Sequence, residues 1–296
     1  MLAINNVIGG TISMQIYISG KFFDKENAKI SVFDHGLLYG DGVFEGMRSY
    51  NGKVFRLREH MIRLWNSAKA LMIEMPITLD EMEAAIYETL KVNNIKNGYI
   101  RLLVTRGIGT LGLEAHLCSD PQVIIIAAHL ALYPAELYEK GLDIVTASTV
   151  RTNPSMVSPQ IKSMNYLNNI FAKMEGHLAG CAEVLMLNTK GEVAECSGDN
   201  IFIVSKGKLH TPPPEAGILE GITRQTVIDI AIERGIPVRE APMTRYDIFA
   251  ADECFLTGSA AELIPVVKLD GRPIGNGKPG TMTKQLLDRF HEETKK

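Results

Sequence analysis

The stretch from Glu195 to Gln225 restricts the fold more than any other part of the chain. It reads ECSGDNIF, then an apolar strand over Ile201 to Val204, a Lys206-Gly207 turn, Leu209-His210-Thr211, and PPPEAGILEGITRQ. From Gly221 to Gly235 the period changes: Val227, Ile230 and Ala231, with Ile228 beside them, fall on one helical face. Gly221, Ile222 and Thr223 therefore stand at a helix start. Free backbone amides there, a threonine hydroxyl and the helix dipole make an anion site whose natural occupant is a phosphate. The alternative is that Thr223 only caps its own helix.

A second stretch, SPQIKSMNYLNNIFAKMEG from Ser158 to Gly176, sets Lys162 just ahead of Leu167, Ile170, Phe171 and Met174, which recur at helical spacing. At a helix entrance this lysine is either a solvated surface charge or an amine kept for chemistry. Around these two stretches the chain has room for a substantial core. Its 296 residues, 46% of them hydrophobic, suit two domains or one large one. A net charge of -3 provides no basic field for nucleic acid. Cys118, Cys181, Cys196 and Cys254 are scattered without a CxxC pair and read as small buried hydrophobes with reduced, cytosolic thiols. The longest apolar run, Val123 to Leu132, is ten residues, too short to span a membrane. The first fourteen residues do not read as a signal peptide, and Met14 offers a start that would make residues 1–13 a loose extension.

In the amino-terminal half, Met14 to Lys21 and Asn27 to Val32 alternate as a pair of half-buried strands. Phe33 to Gly52 carries five glycines yet ends in a strand pattern, so Gly40-Asp41-Gly42 is a turn or a place of close backbone approach. A helix follows over Leu57 to Met72, with Met61, Leu64, Trp65, Ala68 and Leu71 on its apolar face. His60 and Arg63 lie beside that face, and Arg63 is either solvated or a fork of donors for a phosphate. A helix near Leu79 to Asn93 leads into a strand over Tyr99 to Thr105, which places Tyr99 and Arg101 on one face as a carboxylate receptor. Gly107 to Gly112 matches GxGxxG literally, but the LEAHLCSDP that follows opens no helix, so a dinucleotide site is rejected. After a buried strand over Val123 to His129, the connector around Tyr133 and Pro134 marks a boundary: residues 1–130 form a small domain, 131–141 a link and 142–296 a larger domain. The latter opens with strands over Leu142 to Thr149, Glu183 to Asn188 and Glu192 to Glu195, runs Glu253 to Thr257 into the small residues Gly258 to Ala261, and ends in a packing helix over Thr281 to Glu293.

These residues resemble the class IV pyridoxal-phosphate aminotransferases, the fold-type IV family of branched-chain aminotransferases, D-amino acid aminotransferases and aminodeoxychorismate lyase. The family signature is matched by Glu195, Ser197, Asn200-Ile201-Phe202, Leu209, Thr211, Leu219, Gly221, Ile222 and Arg224, and the likeness runs from about Ile16 to Leu287. The resemblance implies an α+β (mixed α/β) fold, with a smaller amino-terminal domain and a larger β-barrel-like domain flanked by helices. It implies pyridoxal 5'-phosphate as cofactor. Lys162 would be its covalent tether and the catalytic base, Glu195 the partner of its pyridine nitrogen and Tyr166 a contact to its ring oxygen. Arg63 and Gly221-Ile222-Thr223 would cradle its phosphate, Ser259 would supply a hydroxyl where many relatives have threonine, and Gly198 and Leu219 would also contact it. Tyr39, Phe44, Tyr99, Arg101, Tyr133 and Ala260, with Gly198, would line the substrate pocket.

FEGMR at Phe44 to Arg48 and the RGxGxLG form after Tyr99 and Arg101 are most like the branched-chain members, and the Arg-x-His trap of D-specific relatives is missing at that place. The implied reaction moves an amino group between L-leucine, L-isoleucine or L-valine and 2-oxoglutarate. The alternative is a D-amino acid aminotransferase or aminodeoxychorismate lyase on the same fold. Family members have the Tyr39 loop reaching into a neighbour, so a homodimer, or a hexamer assembled from dimers, is expected, in the cytoplasm, with no membrane, metal or nucleic-acid partner.

Overall fold

The computed structural model describes residues 13–130 and 132–296. Residues 1–12 of the expected extension, and Ala131 in the connector, lie outside the described residues. The first half runs β1 (Gln15–Ile18), β2 (Lys21–Asp24), α1 (His35–Tyr39), β3 (Gly42–Tyr50), β4 (Lys53–Val54), α2 (Leu57–Ala70), α3 (Leu79–Val92), β5 (Gly98–Thr105) and β6 (Val123–Ala128). Its strands form a six-stranded antiparallel sheet in the order β2-β1-β6-β5-β3-β4.

Both long helices pack on one face of this sheet. The stripe Leu57, Met61, Leu64 and Ala68 of α2, and Met82, Ala85, Ile86 and Leu90 of α3, close on Val43 and Met47 of β3 and Ile100, Leu102 and Val104 of β5. Each large side chain buried this way contributes about 1.5–3 kcal/mol. Thr78 and Glu81 start α3 with a reciprocal capping box. Because side chains alternate along a strand, Phe44 and Gly46 of β3, and Tyr99 and Arg101 of β5, project from the opposite face. Glu45 shares the helix-facing side and is fully buried there.

The second half continues with α4 (Ala135–Lys140), β7 (Leu142–Thr146), α5 (Leu167–Leu178), β8 (Glu183–Leu187), β9 (Val193–Cys196), β10 (Asn200–Ser205) and β11 (Lys208–Thr211). It is completed by α6 (Ile222–Glu233), β12 (Val238–Glu240), α7 (Arg245–Phe249), β13 (Glu253–Gly258), β14 (Glu262–Leu269), β15 (Arg272–Pro273) and α8 (Thr281–Glu293). The strands make a nine-stranded mixed sheet ordered β12-β11-β10-β13-β14-β7-β8-β9, with β15 on β14. The β11–β12, β14–β7 and β7–β8 pairs are parallel. Alternation along β10 serves two cores. Phe202 and Val204 meet α6 and α8, including Leu286 and Phe290, whereas Ile201 and Ile203 join Leu142, Ile144, Leu185 and Leu256 on the other side. The terminal helix does pack, as its pattern indicates.

Two local expectations are corrected, and the orientation of one helix is established. The first hairpin turns at Ser19-Gly20, both with positive φ, so β1 pairs directly with Lys21–Asp24, and Asn27 to Val32 forms no strand. β7 ends at Thr146, three residues short of the expected strand end at Thr149. Helix α5 forms where predicted, but its apolar stripe faces outward: Leu167, Ile170, Phe171 and Met174 are exposed, and the buried positions are Asn169, Ala172 and Gly176. The small side of the helix lies against the sheet; a Cβ on Gly176 would sit 2.4 Å from Val184 Cγ1.

Candidate active site

Lys162 is positioned by the other sheet as much as by its own loop. Phe44 N–H donates to the Lys162 carbonyl at 3.0 Å, Met164 N–H donates to the Gly42 carbonyl at 2.8 Å, and Lys162 N–H donates to Ser67 Oγ at 3.1 Å. Gly42 is required for this approach, since a Cβ there would lie 2.5 Å from Met164 Sδ. The lysine amine lies 3.3 Å from Tyr166 Oη and 4.5 Å from the centre of the Phe44 ring. Among the described residues it makes no ion pair. It is half-buried and lines a cavity of about 320 Å³ together with Tyr166, Glu195 and Leu219. The solvated-surface reading is thereby set aside.

Glu195, next to last in β9, occupies a buried, donor-rich position. Arg151 Nη2 donates to its Oε1 at 2.7 Å, while Asn200 Nδ2 and the Leu219 N–H reach Oε2 at 3.0 and 3.1 Å. Burial pushes its carboxyl above the usual range, against the pull of Arg151 and the Leu219 amide. Arg151 is itself buried and donates through Nη1 to Asn169 Oδ1 at 3.0 Å.

The start of α6 lines the same cavity through Gly221, Ile222 and Thr223. Gly221 is the N-cap and no side chain caps the helix, so Thr223, buried in the first turn, is not the cap. Its neighbour in the cavity is Arg63 of α2, held by a bidentate pair to Glu45 at 2.7 and 2.8 Å and donating through Nη1 to the Glu220 carbonyl at 2.8 Å. His60 lies 2.7 Å from the same carboxylate. Burial alone would raise the Glu45 carboxyl, but Arg63 and His60 hold it well below the usual range. The Arg63 fork is thus aimed before any ligand arrives. Ser259 also lines the cavity, as does Thr257, whose buried hydroxyl has no hydrogen-bond partner among the described residues.

Tyr99, Tyr133, Gly198 and Ala260 complete the wall. Phe44 and Arg101 stand one layer behind. The Phe44 ring packs edge-on against Tyr166 at 5.0 Å and carries the Arg101 guanidinium 4.7 Å from its centre, and Arg101 Nη2 donates to Tyr99 Oη at 3.1 Å. Tyr39 is the one expected site residue that the structure does not bring near. It is exposed on α1, with its hydroxyl bonded to the Leu111 carbonyl.

Residues 42–269 match the class IV amino-transferase family. The chain belongs to this family. A putative branched-chain-amino-acid aminotransferase of Methanocaldococcus jannaschii is 50% identical over 279 residues, 94% of this chain and 96% of that protein. A crystal structure of the Escherichia coli branched-chain amino acid aminotransferase superposes with a TM-score of 0.92 at 36% identity, covering 95% and 94% of the two chains. The branched-chain amino acid aminotransferase of Thermobaculum terrenum in its PLP-bound holo-form gives 0.85 at 31% identity, covering 95% and 94%.

In this class IV aminotransferase the mixed α/β fold is as expected, and several working residues carry no local signal. Arg151, Asn169 and Glu45 sit in stretches whose patterns do not mark them. Asn200 lies inside the family signature, five residues after a buried carboxylate that needs a donor. No described helix is long and apolar enough to cross a membrane.

Proposed function

We propose that this aminotransferase uses pyridoxal 5'-phosphate to exchange the amino group of L-leucine, L-isoleucine or L-valine with 2-oxoglutarate, giving L-glutamate and the branched-chain 2-oxo acid. The carrying observation is one cavity that joins the unpaired Lys162 amine, the Glu195–Arg151 pair and the uncapped start of α6. The names of the relatives supply the substrate class. The residues present fit the cofactor: the open helix start and Arg63 suit a phosphate, Glu195 suits a pyridine nitrogen, and the unpartnered Thr257 hydroxyl offers a further polar contact.

When bound, the cofactor supplies the electron sink that makes the substrate Cα–H bond acidic. The chain's own residues direct that chemistry. Lys162 Nζ would move the proton from the substrate Cα to the cofactor, with the Tyr166 hydroxyl beside it to orient the amine. Glu195, fixed by Arg151, Asn200 and the Leu219 amide, holds a proton on the pyridine nitrogen. Arg63, Ile222 and Thr223 bind the phosphate, with Ser259, Gly198 and Leu219 around the cofactor. Tyr133 and Tyr166, the latter backed by Phe44, present apolar surface to a branched side chain, whereas Tyr99, with the Arg101 guanidinium behind it, presents a donor to a carboxylate, next to Ala260.

A panel of L- and D-amino donors with 2-oxoglutarate tests the assignment. L-leucine, L-isoleucine and L-valine should react and D-alanine should not; turnover of D-alanine instead would overturn it. Measured as separate half-reactions of the holoenzyme with each amino donor, Arg101→Ala should lower kcat/KM for glutamate about tenfold more than for leucine, the size expected for losing a charged hydrogen bond. Equal losses would contradict the role given to Arg101.

The outward stripe Leu167, Ile170, Phe171 and Met174, together with exposed Leu111 and Leu113 beside Tyr39, supports a homodimer in which Tyr39 serves the neighbouring site. Light scattering should give twice the chain mass or a multiple of it, and a monomer at micromolar concentration would refute this. The first sheet, drawn from Gln15–Ala128, and the second, from Leu142–Pro273, are taken as the small and large domains of an enzyme working in the cytoplasm.

A further inference from the structure

One buried carboxylate on the wall of this cavity has no part in the proton transfer described above. Tyr133, from the segment between the sheets, places its hydroxyl 3.3 Å from Glu183 Oε2 and 3.3 Å from Asp199 Oδ2. Both acids are buried and both line the cavity. Their supply of donors is unequal. Glu183 Oε1 accepts from Val184 N–H at 2.8 Å, from Ser197 N–H at 3.1 Å and from the Ser197 hydroxyl, and its Oε2 accepts from Lys173 Nζ at 2.7 Å. The Asp199 carboxyl has Tyr133 as its one hydrogen-bond partner among the described residues.

A single phenolic proton therefore lies between two acids. If both were ionised, one would face the phenol oxygen without a hydrogen bond, at a buried position. A proton on Asp199 resolves this: Tyr133 donates to Glu183, and Asp199 donates to Tyr133. Asp199 Oδ1 lies beside Gly258, in space that a Cβ at that position would fill, coming within 2.0 Å.

We propose that Asp199 is a specificity-determining residue, which admits a dicarboxylate substrate while its carboxyl is protonated and disfavours it once ionised, so that the choice between dicarboxylate and branched-chain substrates depends on pH. The charged and titratable groups around it are Glu183 of β8, Lys173 of α5, Glu195 and Cys196 of β9, Tyr133, and Tyr138 of α4. Burial and the Glu183 charge push Asp199 up to about 7, with Lys173 and the Tyr133 hydroxyl pulling the other way. Above that pH a negative charge stands on the wall of a pocket that must receive the second carboxylate of 2-oxoglutarate. A like charge within about 8 Å, at an effective dielectric near 20, weakens such a ligand by about tenfold or more. A branched aliphatic side chain carries no charge and is spared this penalty.

This rests on the cavity taking both substrate classes. The test uses the holoenzyme in its amino form and measures kcat/KM for 2-oxoglutarate and for the oxo acid of leucine from about pH 6 to about pH 9, a range that brackets the titration. The ratio of the two cancels every ionisation that both reactions share, that of Lys162 included. The wild-type ratio should fall about tenfold with a midpoint near neutrality. In Asp199→Asn, which keeps the shape and a donor but cannot ionise, the ratio should be flat. A flat wild-type ratio overturns the proposal without recourse to any variant, as does an undiminished fall in Asp199→Asn. Absence of turnover with either oxo acid at every pH would instead overturn the substrate assignment, and this inference with it.

Discussion

Lys162→Ala should lower transamination by at least about four orders of magnitude, because it removes both the covalent tether and the base. The melting temperature should stay within about 3 °C of wild type, the range of a substitution that breaks no buried network. The structure separates the two effects. The contacts that anchor this segment run through the backbone of Lys162 and Met164 to Phe44, Gly42 and Ser67, and an alanine retains them all. The side chain itself makes one hydrogen bond, to Tyr166, and leans on the Phe44 ring. A large loss of stability would mean that Lys162 is structural, and retained turnover would mean that it is not the base.

Arg151→Ala should destabilise the protein by about 3–5 kcal/mol, as expected when one partner of a buried ion pair is removed. Glu195 would keep Asn200 Nδ2 and the Leu219 amide but lose its charged partner at 2.7 Å, while Asn169 Oδ1 would lose a donor. The deficit should shrink as the pH falls, because burial already raises the Glu195 carboxyl and loss of Arg151 raises it further, so acid supplies the proton that neutralises it. Cofactor affinity should fall with stability. Urea unfolding at neutral and acid pH reads the first effect, and equilibrium dialysis of pyridoxal 5'-phosphate reads the second. A loss below about 1 kcal/mol would place Arg151 among the solvated pairs of little consequence.

What could be read from the chain alone follows a physical division. The family resemblance is what singles out Lys162 and Glu195, because a helix entrance or a strand near a signature leaves a lone charged residue ambiguous, whereas the start of α6 carries a local signal of its own, a change of period. The face that α5 buries was not legible. Helical spacing of Leu167, Ile170, Phe171 and Met174 predicts a helix but is silent on whether the stripe meets its own sheet or another molecule, and it was Gly176 and Ala172 that met the sheet. Arg151, Glu45, Glu183 and Asp199 escaped for a related reason. Each has a partner at least 18 and up to 66 residues away in sequence, so what makes each notable is a pairing created by the fold. The hairpin at Ser19-Gly20 is the opposite case. Its turn residues lie inside Met14 to Lys21, a stretch that alternation alone reads as one strand.

The central claim is that Lys162 carries the cofactor covalently in this cavity. Borohydride reduction of the holoenzyme, followed by proteolysis and mass spectrometry, tests it directly. The account predicts a phosphopyridoxyl adduct on the peptide containing Lys162, and none on the same peptide from Lys162→Ala protein. An adduct on another lysine, or none on the wild type, would contradict it.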